Sequence, residues 1–149
     1  MRYSGVFLFC MVLLVAACKK TDFHDDIISN NDLEIDSSMA IPAEKQLRAY
    51  NEGNINEFIK HFSDSIKLFR MGSNQPFCSG KSDLKRVYGN LFKSRPELHC
   101  ELINRTICGK YVIDEEAVKG LEDDRIVHAI AIYQIRDTLI EKAWFIKGE

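Results

Sequence analysis

The chain has 149 residues, with 20 basic against 22 acidic side chains and a formal net charge of −2. That balance argues against a nucleic-acid partner, because phosphate backbones are bound by a surplus of lysine and arginine. Nothing in the composition calls for a cofactor.

Arg2 precedes an unbroken apolar run from Val6 to Ala17, and Cys18-Lys19-Lys20 follow directly. The run is too short for a hydrocarbon layer of ~30 Å, which needs ~20 helical residues. A positive start, a short apolar middle and a small-residue exit describe a signal peptide over residues 1–17. The ending Val15-Ala16-Ala17-Cys18 resembles a bacterial lipobox, which implies lipidation of Cys18 and a bacterial cell-envelope address. Lysine in place of aspartate after Cys18 leans towards an outer-membrane anchor. Residues 18–40 are acid-rich with no sustained apolar period, and they read as a flexible tether. A flexible chain of that length spans roughly 25–30 Å. The cluster Asp22, His24, Asp25 and Asp26 is read as part of this solvated linker, and no metal site is assigned.

Residues 41–149 are one domain's worth of chain. "IPAEKQLRAYNEGN" predicts a first helix that opens on Pro42 and ends near Gly53. In "NINEFIKHF", Asn54 caps a second helix, with Glu57 placed as in a capping box. "IKLFRM" reads as a short strand. In "SDLKRVYGNLFK", Leu84, Val87, Tyr88, Leu91 and Phe92 form one stripe of a third helix, which stops before Pro96.

The period then changes to two. "LHCELINRTICGKYVIDEEAVKG" breaks at Gly109-Lys110, "DRIVHAIAIYQIR" is a long strand, and "LIEKAWFIK" returns after Asp137-Thr138. Helices followed by antiparallel strands make an α+β layout, with helices on one sheet face. Both faces of the long strand are largely apolar, so both are expected to be covered, one by helices and the other by a homodimer partner or an added segment. Ala129 and Ala131 are small, so their cover must approach closely or leave a pocket.

Cys100 and Cys108 on one straight strand would lie about 26 Å apart, beyond the ~7 Å limit of a disulfide. Cys78 can bridge either one, or all three can be buried small hydrophobes. No CxxC or HxxxH spacing supports a zinc site. "GKS" at 80–82 lacks the first glycine of a phosphate-binding loop, since Gln75 stands there.

Taken in order, "QLRAYNEGNINEFIKHFSDSIKLF", "SGKSDLKRVYGNLF", "INRTICGKYVIDEE" and "AIYQIRDTLIEKAWFIK" resemble the SnoaL-like branch of the nuclear transport factor 2-like superfamily. The resemblance implies a cone, with a strongly curved antiparallel sheet packed on three N-terminal helices and a cavity at one end. It also implies a small-molecule ligand and pairing through the outer sheet face. Members include steroid Δ-isomerases, polyketide cyclases and non-catalytic binding modules, so fold alone does not decide function.

Carried over position by position, the isomerase base falls near Arg70 and its protonated aspartate at Ala131 or Ile132, and neither position is acidic. The family tyrosine on the first helix falls near Gln46, one turn before Tyr50. The isomerase set as such is absent, because a guanidinium cannot act as a base at neutral pH. The remaining acid–base candidates are His128 with Asp114, Glu115 and Glu116, cyclase-like. A simple hairpin register puts Glu115 diagonal to His128 on one face. The competing reading places His128 on the outer face and the acids along a solvated edge. The expected ligand contacts are Tyr50, Phe69, Arg70, Tyr88, Phe92 and Tyr133, with Arg70 able to clamp a carboxylate or phosphate. The sequence therefore points to a domain that binds a small, mostly apolar ligand, with a histidine–carboxylate enzyme as the alternative.

Overall fold

A computed structural model describes residues 37–148. The expected signal peptide, the expected lipidation at Cys18 and most of the expected tether lie outside the described residues. Ser37–Ala40, the end of the expected tether, forms one 3-10 turn with Ala40 buried.

Helix α1 (Ile41–Asn51) carries Pro42 in its first turn and buries Pro42, Ala43, Gln46 and Ala49. Its end is a Schellman arrangement. The Gly53 N–H donates to Tyr50 O at 3.0 Å and the Asn54 N–H to Ala49 O at 2.9 Å, with Gly53 left-handed at φ 61°. Asn54 then caps α2 (Ile55–Phe58), its side-chain oxygen accepting from the Glu57 N–H at 3.1 Å. The second helix is shorter than its periodicity suggests. One 3-10 turn, Ile59–His61, hands the chain to a strand in which Phe62 is the first residue. Helix α3 (Lys81–Ser94) runs as expected and stops before Pro96.

Six strands form one sheet: β1 (Phe62–Arg70), β2 (Cys78–Ser79), β3 (His99–Cys108), β4 (Tyr111–Glu122), β5 (Arg125–Arg136) and β6 (Leu139–Lys147). Their spatial order is β2-β1-β6-β5-β4-β3. Strands β3 to β6 are an antiparallel meander. The β5–β6 turn holds Asp137 and Thr138 at φ 50° and 64°, the primed geometry that matches strand twist. The expectation of a wholly antiparallel sheet needs correction, because β1 pairs with β6 in parallel. Helix α3 and the meander lie between them in the chain, and that long return brings β6 back in the direction of β1. The strand read as "IKLFRM" also starts earlier, at Phe62, and the two-residue β2 was not anticipated.

Register shifts interrupt β3 at Leu102/Asn104, β4 at Val118/Glu122 and β5 at Gln134/Ile135. Such irregularities bend strands and raise their twist, which curves the sheet around the helices. The main core joins Phe58, Ile66, Leu68, Leu84, Val112 and Ile140. A smaller one holds Leu98, Cys100, Val118 and Val127. Tyr50 and Phe92 pack against both. The side-chain amide of Asn51 ties α1 to edge strand β3, donating to Cys100 O at 2.9 Å and accepting from the Cys100 N–H at 2.7 Å.

Among the described residues no helix is long and apolar enough to cross a membrane. Cys78 and Cys100 are buried and Cys108 is exposed, and all three are free thiols. Cys100 and Cys108 sit near opposite ends of β3, which keeps them apart.

Candidate functional site

Between the concave sheet face and the helices lies a cavity of about 680 Å³, well inside the range for small-molecule sites. Its aromatic wall includes Tyr50 from α1, Phe58 from α2 and Tyr88 from α3. Ala129 opens space on the sheet side, where a larger side chain would fill it. Ala131 is fully buried in the core.

The polar chemistry of the interior centres on Glu116 of β4, which lines the cavity and is 7% exposed. The buried Gln46 amide donates to the Tyr133 hydroxyl at 3.0 Å, and that hydroxyl donates to Glu116 Oε1 at 3.3 Å. Burial, reinforced by the charge of Asp114, pushes the Glu116 carboxyl up to about 7, while hydrogen bonds from Tyr133 and Cys100 and the charge of Arg105 oppose the rise. Burial also drives the Tyr50, Tyr88 and Tyr133 phenols and the Cys100 thiol well above their ordinary values. These groups stay protonated at neutral pH, and of them Tyr133 and Cys100 hydrogen-bond the Glu116 carboxyl as neutral donors. Glu116 alone among them can exchange a proton near pH 7.

Asp114, two residues earlier on the same face, is fully buried and does not line the cavity. Arg105 of β3 grips it with Nε–Oδ1 at 2.7 Å and Nη2–Oδ2 at 2.6 Å, and also stands 3.3 Å from Glu44. This fork-to-fork pair leaves Asp114 no freedom to act as a base. It fixes a negative charge beside Glu116, which is the second cause of the raised Glu116 value.

The other expected residues divide. Tyr50, Arg70, Tyr88 and Tyr133 line the cavity. Phe92 packs behind the wall, its ring centre 5.5 Å from Tyr50 and 5.6 Å from Phe58. Phe69 lies on the opposite sheet face, stacked on Trp144 at 5.7 Å. The pairing of His128 with Ala117 and of Ile130 with Glu115 puts Glu115 diagonal to His128 on one face, as the hairpin register predicts. That face is the convex one and both residues are exposed. A His128–Glu115 pair inside the cone is thereby replaced by Glu116, whose strand neighbour is Ala129.

Two features of the sequence could have pointed to Glu116. Alternation puts it on the opposite side of β4 from Glu115, and the same hairpin register sets it against the small residues that suggested a pocket. Gln46 stood where the family tyrosine was sought, yet was not singled out. Among the described residues no group of His, Cys, Asp and Glu is arranged to hold a metal ion.

No family model and no curated protein matches the chain. Solved structures do. A SnoaL-like protein of unknown function from Burkholderia thailandensis superposes with a TM-score of 0.65 at 17% identity, covering 77% of this chain and 98% of that one. A provisionally assigned polyketide cyclase from Bacillus cereus gives 0.60 at 20% identity, covering 74% of each chain. A provisionally assigned ketosteroid isomerase from Kribbella flavida gives 0.64 at 12% identity, covering 75% of this chain and 78% of that one. At these identities the likeness is one of fold. The domain has the α+β, nuclear transport factor 2-like cone.

Proposed function

We propose that the domain binds a small, mostly apolar molecule and is carried on a lipid-anchored bacterial envelope protein. The observation that carries the binding reading is the cavity itself, about 680 Å³, aromatic in its walls and with one protonatable acid inside. An apolar body gains by leaving water for such walls. The Gln46–Tyr133–Glu116 relay then orients one polar group of the ligand. Native mass spectrometry of the protein from its own host tests this, with a co-purifying small molecule as the expected result. Replacing Ala129 by Phe should take up part of the space and reduce that adduct. An adduct undiminished in Ala129→Phe would count against the Ala129 side of the cavity as the binding place.

A second reading is favoured by Glu116 titrating near 7, the range in which a general acid–base group works best. On that reading Glu116 moves a proton on a bound carbonyl compound while Tyr133 and its neighbours hold the oxygen. The arrangement differs from that of the isomerases, because the acid comes from β4 and the position expected for their base is Arg70. Turnover of a β,γ-unsaturated ketone that is lost in Glu116→Gln would select this reading. Unchanged turnover in that variant would exclude Glu116 as the base.

The anchor and the outer-membrane address rest on the pattern from Val6 to Lys20. They are tested by the acylated mass of the N-terminal peptide. A homodimer through the convex face is supported by the apolar side chains there, including Ile126 at 48% and Ile146 at 40% exposure.

A further inference from the structure

The charged side chains that line the cavity are Arg70, Glu116 and Lys147; Lys147 lies level with Glu116 two strands away through Ala129, and Arg70 stands one strand further, on β1. Glu116 is buried, whereas Arg70 and Lys147 are exposed at the rim, near Met71 at 49% exposure. Lys147 is matched by an ion pair with Glu122. Arg70 has no ion pair among the described residues, and its guanidinium carbon lies 5.3 Å from the centre of the Phe77 ring. Stacking on an aromatic face holds a guanidinium in place without using its N–H fork. Phe77 also lines the cavity, so the fork is held at the mouth with its donors unspent.

Strand register sets the span between Arg70 and Glu116. Arg70 pairs with Phe145, Phe145 with Ala131, and Ala131 with Asp114, all on the concave face. Glu116 lies two residues beyond Asp114 on that face. Strand spacings of ~4.8 Å and a rise of ~3.3 Å per residue put Arg70 and Glu116 at most about 16 Å apart between backbones. Curvature shortens this, and the two side chains reach towards each other across the space.

We infer that the occupant is an elongated amphiphile with a carboxylate at one end and a neutral oxygen function, a hydroxyl or ketone, at the other. The carboxylate takes the Arg70 fork at the mouth, where it keeps part of its hydration. The apolar body lies along Tyr50, Phe58 and Tyr88. The neutral oxygen meets Glu116 and Tyr133 inside, where a second carboxylate would face burial beside an acid, because Lys147, the lining cation two strands from Glu116, is engaged by Glu122. This assignment rests on the ligand-binding reading and adds polarity and direction to it.

The test uses the full chain carrying Cys18→Ser, so that no acyl group competes, and three matched probes short enough for that span: 8-hydroxyoctanoate, octanoate and 1,8-octanediol. Calorimetry at pH 6 should rank the hydroxy acid above each of the others by roughly tenfold, the scale of one charge-assisted hydrogen-bonding group. Arg70→Gln should weaken the two acids by roughly tenfold and leave the diol unchanged, and Arg70→Lys should restore part of the loss. Equal binding of acid and diol, indifferent to Arg70, would overturn the carboxylate end while leaving an apolar-ligand cavity intact. Failure of all three probes to bind would overturn both. Arg70 is exposed, so its variants should fold, and the probe ranking on the unsubstituted residue decides the matter independently of them.

Discussion

Glu116 owes its raised pKa first to burial and then to the charge of Asp114 on its own strand, against the lowering hydrogen bonds of Tyr133 on β5 and Cys100 on β3. An acid whose folded pKa of about 7 exceeds its unfolded value binds its proton more tightly in the native state. Its stabilising effect is therefore complete below the unfolded pKa and is lost as pH rises through 7. The separation of the two values corresponds to about 3 kcal/mol between pH 4 and pH 7.5. Glu116→Gln should flatten that part of the stability–pH curve, as measured by urea midpoints across the range. A variant curve with the same slope as the parent would place the titration elsewhere. The Arg105–Asp114 pair is a different case. There the carboxylate is bonded by a guanidinium on both oxygens, and the pair acts as a fixed charge.

At the scale of elements, the site depends on two joints. The Asn51 amide clamps the backbone of β3 at Cys100 through two hydrogen bonds, which sets the edge strand against α1. Asn51→Leu leaves that backbone pair without its partner, at a cost of about 2 kcal/mol. It should also loosen the Cys100 end of the cavity, seen as faster amide exchange at Cys100 and its neighbours. The second joint is Gly120, at φ 74° within the irregular end of β4. A Cβ there would stand 2.7 Å from the Glu97 carbonyl oxygen, and a left-handed backbone is costly for any side chain. Gly120→Ala is expected to lose about 2 kcal/mol or more, read as a lower thermal midpoint. The parent midpoint in that variant would show that the β4 bend tolerates a side chain.

For the whole molecule, the sheet has a concave face closed by helices and a convex face left half-exposed, with the Phe69–Trp144 stack and Ile130 and Ile132 partly buried. A second copy would cover this face. Ile130→Asp sets a charge in the middle of it, pointing away from the cavity. Sedimentation of the parent should give a dimer and of the variant a monomer, with ligand binding unchanged. A monomeric parent would leave the convex face to another partner.

Most of residues 41 to 148 divided into helices and strands from sequence because those signals are local, the exceptions being the early end of α2, the start of β1 at Phe62 and the short β2. Pro42, the Gly53 stop, the Asn54 cap and the Asp137-Thr138 turn each act within a few residues, and the change from helical to two-residue periodicity marks where the sheet begins. That Glu115 and His128 share a face was also legible, since the two-residue register shift between Val118 and Glu122 leaves the alternation of faces unchanged. Tertiary packing decided which side of the β4–β5 hairpin is inside. A strand shows its two faces equally, and on β5 both are apolar, so alternation alone does not rank Glu115 against Glu116, and only the small Ala129 and Ala131 hint at the inner side. The helices settle it by packing on the Ala129–Tyr133 side, which buries Glu116 and leaves Glu115 and His128 on the outside. The parallel pairing of β1 with β6 has the same origin. It joins segments far apart in the chain, and only the assembled sheet brings Arg70 to the mouth of the cavity that Glu116 lines from within.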